Sequence, residues 1–178
     1  VADAGTHKTL SWGRFVNGDV LVDDSPVTLA GPDSVHYVIG QETPAAMMSA
    51  LVGQGGTATY SLGGHTTPTG INGVGSSVSG NLTVDFGAAT VGINMDVDMG
   101  ASLYGVTGSM DIAGAQFAGS GLSTTINGGS CPSGCSTDIN GFFQGPQAQP
   151  IGLTYKINDF GTDPIKGAAT SERGDTTL

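Results

Sequence analysis

From Asn81 to Ile112 apolar and polar residues alternate almost without a break. Leu82, Val84 and Phe86 fall on one side, with Asn81, Thr83 and Asp85 on the other. The next stretch repeats the pattern: Val91, Ile93, Met95, Val97 and Met99 alternate with Thr90, Gly92, Asn94, Asp96 and Asp98. In the third, Tyr104, Val106, Met110 and Ile112 share a face with Gly108. A period of two over this length marks strands with one buried and one solvated face. The interruptions fall at Gly87-Ala88 and Gly100-Ala101. Two-residue loops there set Val84 opposite Val91, Leu82 opposite Ile93, Val97 opposite Tyr104 and Met95 opposite Val106. Glycine at the first loop position is what a type II′ hairpin turn requires. Patterning and pairing therefore agree on an antiparallel meander.

The same reading extends in both directions. Strands are expected at 57–62, 81–86, 90–99, 102–112, 115–122, 138–144, 151–157 and 165–170. Such a meander with one apolar face tends to close on itself, which removes its edges. The fold class is all-β, an eight-stranded antiparallel β-barrel occupying residues 53–170. Interior glycines such as Gly108 and Gly119 suit the narrow parts of a small filled barrel. Residues 1–52 read as an appendage of strands and one short helix. There, 8–16 is a strand, Asn17-Gly18 signals a hairpin that returns Val20-Leu21-Val22 beside it, and 34–40 is another strand. Thr43 can cap a helix with Pro44 at its first position and Gly53 at its end. The segment 65–80 is too rich in Gly, Ser and Thr to pack and reads as a loop. The tail 171–178 is polar and reads as frayed or a linker.

Composition sharpens this picture. Of 178 residues 31 are glycine and only 11% are charged, against roughly 25% in ordinary soluble domains. Glycine disfavours helices and suits turns and close backbone approach. Net charge is -10, and Glu42 and Glu172 are the only glutamates. Asp favours strand ends and turns, so much of the charge is punctuation. An acidic surface repels nucleic acid and anionic lipid. No apolar run is long enough for a transmembrane helix, and Val1–Leu10 lacks the pattern of a signal segment. Cys131 and Cys135 are separated by three residues in a Gly/Ser/Pro loop, without the further ligands that zinc would need. They are expected to form a disulfide, whose short loop contributes about 2 kcal/mol. That bond implies an oxidising, extracytoplasmic compartment.

The stretch Phe143-Gln144-Gly145-Pro146-Gln147-Ala148, followed by Ile151-Gly152, carries a resemblance. It follows the order Phe-x-Gly-Pro-x-Ala-x-x-apolar-Gly and resembles the signature of the barrel domains of the transferrin-binding protein B family of bacterial surface proteins. Leu82 to Val91 is similar to a strand and turn of those barrels, and comparable modules end FecR-type proteins. The resemblance spans 56–170. The chain departs from the family pattern at Gln144, where an aromatic is usual, at Pro150, where Glu is frequent, and at Leu153, where a second Gly is expected.

No motif for catalysis stands out. Nucleophile elbows, His-Glu-x-x-His and phosphate loops are absent, and His7, His36 and His65 lie in separate segments. Asp85, Asp96, Asp98 and Asp111 share the polar strand face, where carboxylates diverge rather than converge on a cation. No metal is expected, although 159–164 could cradle an ion. The resemblance implies a sharper possibility, because barrels of the hemophilin type bind haem through loop residues. His36 with Tyr37, His65, and the pair Met47-Met48 supply the candidate ligands. The leading expectation is a non-enzymatic binding or assembly module of the bacterial cell surface, secreted or periplasmic. It would meet a protein partner or like subunits through the loops 64–80 and 123–137. A haem carrier and a structural subunit of a surface polymer are the alternatives.

Overall fold

The computed structural model describes all residues except 23, 71–72, 160–163 and 178. In chain order its elements are β1 (Asp3–His7), β2 (Leu10–Val22), β3 (Ser25–Ile39), α1 (Ala45–Gln54) and β4 (Thr57–His65). The two-residue strands β5 (Thr69–Gly70) and β6 (Gly73–Val74) precede β7 (Ser77–Asp85), β8 (Thr90–Asp98), β9 (Leu103–Ala113) and β10 (Gln116–Ile126). The short β11 (Gly129–Ser130), then β12 (Cys135–Phe143), β13 (Pro150–Asp159) and β14 (Ile165–Thr177) complete the chain.

The eight long strands from β4 onward pair in the order β4-β7-β8-β9-β10-β12-β13-β14, all antiparallel. β14 returns to pair with β4, so the sheet is a closed barrel. The meander has the expected register: Leu82 faces Ile93, Val84 faces Val91, and Val97 faces Tyr104. Alternation now has its physical cause. Val91, Ile93, Met95 and Val97 are buried in the interior, while the residues between them face outward. A barrel of this size is just wide enough for its own side chains. Phe143 sits at the centre of an aromatic cluster, 5.5 Å from Phe117, 6.2 Å from Phe86 and 6.3 Å from Tyr60. Room for these rings comes from inward glycines: a side chain on Gly141 would occupy the Phe117 ring, and one on Gly167 would strike Tyr155.

The helix closes one mouth. Met48 belongs to the core and Leu51 packs against it. Thr43 does not cap this helix. Its hydroxyl donates to the Gly145 carbonyl, Pro44 takes the N-cap position, and the helix ends at Gly55 with φ +75°.

β1, β2 and β3 form a separate antiparallel sheet that lies on the barrel's outer wall. Outward residues beneath it are small and buried: Ala168 and Thr170 on β14 have no exposure. Gly152 on β13 accommodates Val38, and Gly64 on β4 accommodates Trp12.

Several expectations need correction. Asn17-Gly18 is no hairpin turn. β2 runs through it with a bulge between Val16 and Gly18, and Asn17 takes φ +56°. The reversal comes later, so Val20 pairs with Val27 instead of with the strand before it. Left-handed backbone at an Asn-Gly pair serves a bulge as well as a turn. The Gly87-Ala88 loop has the expected register, but the residue at positive φ is Ala89, at +53°. Four residues, 86–89, make that connection; at the next one Gly100 has the expected positive φ of 82°. Of the tail at 171–178, residues 171–177 are not frayed: β14 continues to Thr177, opposite Thr57, where it partners β4. The first part of the segment 65–80, residues 65–70, packs after all. Thr66, Pro68 and Thr69 are buried between the N-terminal sheet and β14. Thr66 exchanges hydrogen bonds with Ala168, and its neighbour Thr67 donates its N–H to Asp3. Polar side chains pack when each finds a partner.

Truncating the residue at the centre of the barrel tests this core. Phe143→Ala is expected to lower the unfolding free energy by about 3–5 kcal/mol, read from urea denaturation.

Candidate functional site

The motif that carries the resemblance is, in the structure, a joint. Phe143 fills the core. Gln144, one residue on, is 3% exposed and reaches the turn between β1 and β2. The Thr9 hydroxyl donates to Gln144 Oε1 at 2.9 Å, and Gln144 Nε2 donates to the Thr9 carbonyl at 3.0 Å. Ala148, fully buried at φ +51°, offers its carbonyl to the Tyr60 hydroxyl at 2.6 Å. The departure from the family pattern at Gln144 thus has a structural role. Its amide meets backbone and hydroxyl groups that an aromatic ring would leave unpaired.

His36 lies on β3 beneath the sheet. Its Nδ1 is 2.7 Å from the Thr66 hydroxyl, and its Nε2 is 2.7 Å from that of Thr69 and 3.0 Å from that of Ser34. Burial, reinforced by the positive charges of Arg14 and Lys166, pushes its pKa down to about 4, against the opposing pull of Asp3. His65 stands on the other side of Thr66, with Nδ1 3.1 Å from the Thr66 carbonyl and the Val78 N–H pointing at Nε2 from 3.5 Å. Tyr37 points away from both, stacked on Phe15 at 5.2 Å. Met48 is consumed by the core, whereas Met47 is exposed. A haem iron needs a nitrogen or sulfur lone pair facing an open apolar cleft. Both ring nitrogens of His36 are already hydrogen-bonded within the wall and Met48 is buried, so these side chains do not fit an axial ligand set.

The acidic strand face behaves as punctuation where contacts are seen. Asp85 accepts the Ala88 N–H at 2.9 Å and Asp98 the Gly100 N–H at 2.6 Å, which holds the Asp98 carboxyl below its ordinary value. Among the described residues no three His, Cys, Asp or Glu side chains converge as a metal site. Most of the proposed ion loop at 159–164 lies outside the described residues. Cys131 and Cys135 are joined, with Cα atoms 5.7 Å apart, at the tip of the β10–β12 hairpin. The expected loop 123–137 is mostly strand: β10 runs to Ile126, and β11 pairs back on it.

Pattern reading missed an open groove in the wall. Beside β3, two adjoining depressions of about 370 and 440 Å³ share Asn140 and Thr154, which face each other across β12 and β13. One is bounded by Val38, Glu42 and Phe142, the other by Ser34, His36 and the lysines Lys156 and Lys166. Adjacent residues on a strand point to opposite faces. With Phe143 in the core, Phe142 had to point outward, and that signal was legible. Lys156 and Lys166 lie directly opposite each other on β13 and β14. Like charges so placed repel.

His36 gives the site a measurable signature. Its folded pKa lies below the ordinary 6.5, so the unfolded chain binds the extra proton first. Its stabilising contribution is complete above pH 6.5 and drains away as pH falls toward 4. Relative to a His36→Gln variant, the native chain is expected to lose on the order of 3 kcal/mol more over that window, measured by urea unfolding at each pH.

No protein-family model matches the sequence, and no curated protein matches it. Solved structures do. Isotype 1 transferrin binding protein B from serogroup B Neisseria meningitidis superimposes with a TM-score of 0.61 at 14% identity, over 97% of this chain and 34% of that one. The haemoglobin receptor HpuA from Kingella denitrificans gives 0.58 at 14% identity, over 96% of this chain and 56% of that one. A structure described as a surface lipoprotein gives 0.53 at 13% identity, over 97% and 80%. The chain spans about a third of the length of the transferrin-binding proteins it matches. With the strand order and the Phe143–Ala148 joint, these likenesses make the fold that of a transferrin-binding protein B-like β-barrel domain.

Proposed function

We propose that this chain is a non-enzymatic, extracytoplasmic binding module that recognises a protein on the outside of its barrel. The observation carrying this reading is the filled interior. Tyr60, Phe86, Phe117 and Phe143 are fully buried with the aliphatic side chains around them, so the barrel holds a packed core where a carrier would hold its ligand. Recognition then belongs to the exterior, where the wall groove beside β3 and the disulfide-tied tip near 127–134 are open. The disulfide supports an oxidising compartment. The fold supports a surface role by analogy, since two similar structures are named for binding transferrin and for receiving haemoglobin. Fold analogy alone does not carry a partner across.

Immobilised chain exposed in turn to transferrin, haemoglobin and free haem tests the reading. Saturable binding of one of the two proteins is the expected outcome. A saturable Soret band with haem alone, and no binding of either protein, overturns it in favour of a small-ligand carrier.

A further inference from the structure

The N-terminal sheet forms a second layer over the barrel wall, and that layer stops one ribbon short. It covers β4, β14 and β13, while the wall of β12 and β10 beyond β3 stays bare and forms the floor of the groove. The edge of β3 facing that floor is unpaired: among the described residues, Ser34–Ile39 makes no backbone hydrogen bond to any strand other than β2. An unpaired edge beside an open groove is a template for a further strand.

The same chain carries a strand with no such place of its own. β1 ends its pairing at Arg14, so β2 has a free edge from Phe15 to Val22. Among the described residues, the distal part of the β2–β3 hairpin pairs only with itself, and Leu21 is 73% exposed there. Its sequence runs Val20-Leu21-Val22-Asp23-Asp24, apolar and then acidic, with Asp19 close by. The groove has Val38 and Phe142 at one end, with the Glu42 carboxylate held by the Gln116 amide, and Lys156 and Lys166 at the other. Asp138, opposite Lys156, also lines that end, but its carboxylate already accepts from the Gly121 N–H and the Asn158 amide, which leaves the two ammonium groups as the ends open to a partner's carboxylates. Among the described residues neither ammonium has a carboxylate within 4 Å, and the chain has only five Lys and Arg in all.

We propose that the β2–β3 ribbon of one copy completes the second layer of the next, its β2 edge adding antiparallel to the neighbour's β3. Antiparallel alignment decides the register of both ends together. It brings the acidic tip beside Ser34, Lys156 and Lys166, and it lays the Phe15 end along Val38 and Phe142. Length suffices: the eight free residues of β2 extend about 27 Å, more than the roughly 20 Å of the six-residue β3 edge. The floor reaches β10 through Gln116 and Ala118, which leaves width for the ribbon's second strand. The lysine pair, unfavourable within one copy, becomes favourable when the partner's carboxylates arrive. The contact is head-to-tail, so its repetition builds a ring or a filament rather than a closed dimer. A ribbon seated here competes with a host protein for the groove and leaves the disulfide-tied tip near 127–134 open to one.

Sedimentation of the full chain from micromolar to near-millimolar concentration tests it. The expected result is a mass that grows with concentration beyond the dimer. Lys156→Glu with Lys166→Glu, and separately Asp19→Lys with Asp24→Lys, should each weaken association at least about tenfold. An equimolar mixture of the two charge-swapped proteins should recover it, because each ribbon then meets a groove of opposite sign. All four positions are exposed, and unchanged melting curves would confirm that the variants fold. A chain that stays monomeric throughout, assembly indifferent to both swaps, or assembly that mixing does not restore each overturns the proposal.

Discussion

The pairing of β14 with β4 is the interaction on which the rest depends. It joins residues near 57 to residues near 177 and turns a meander with two sticky edges into a barrel with none. Only then do the inward faces of eight strands enclose one space, in which Phe143 can meet Tyr60, Phe86 and Phe117. The same two strands present Thr170, Ala168 and Gly64 on their outer face, small enough for the N-terminal sheet to lie directly on them. One seam therefore organises the core inside and the second layer outside.

The stretch from Phe143 to Ala148 links those layers. Alternate residues go to opposite sides: Phe143 inward, Phe142 into the groove, and Gln144 to the β1–β2 turn. Thr43 and Tyr60 bind its carbonyls at Gly145 and Ala148, so helix, barrel and sheet all converge on six residues. A segment with so many dependent contacts tolerates few substitutions for structural reasons alone. Its contacts are an argument about architecture before they are one about binding.

Much of the barrel was legible because a period of two leaves little freedom in a chain of this composition. Val84 and Val91 face each other as their spacing requires, and Gly100 turns the chain where expected. What escaped prediction depended on contacts distant in sequence. Asn17-Gly18 reads as a turn locally, yet pairing with Ser34 and Leu29 on either side makes it a bulge. Thr66 and Thr69 look like loop residues until Ala168 and His36 are brought to them. The candidate site was hardest. His36 has both ring nitrogens hydrogen-bonded to threonine hydroxyls distant in sequence, Tyr37 stacks on Phe15, and the groove owes its shape to two layers that no local pattern shows.

The seam has a kinetic side. β14 is the most distant strand from β4 in this sequence, and the N-terminal sheet rests on β14 and β13. Contacts of such long sequence separation form slowly, because closing the loop costs entropy before any contact rewards it. The first 39 residues thus lack their docking surface until residues beyond 150 have joined the barrel. During that interval the β2 and β3 edges and the Leu21 side chain are open to other chains. Folding of this module is consequently a race between the arrival of its own β14 and an encounter with a stranger's edge, and the acidic charge that keeps copies apart matters most before the barrel has closed.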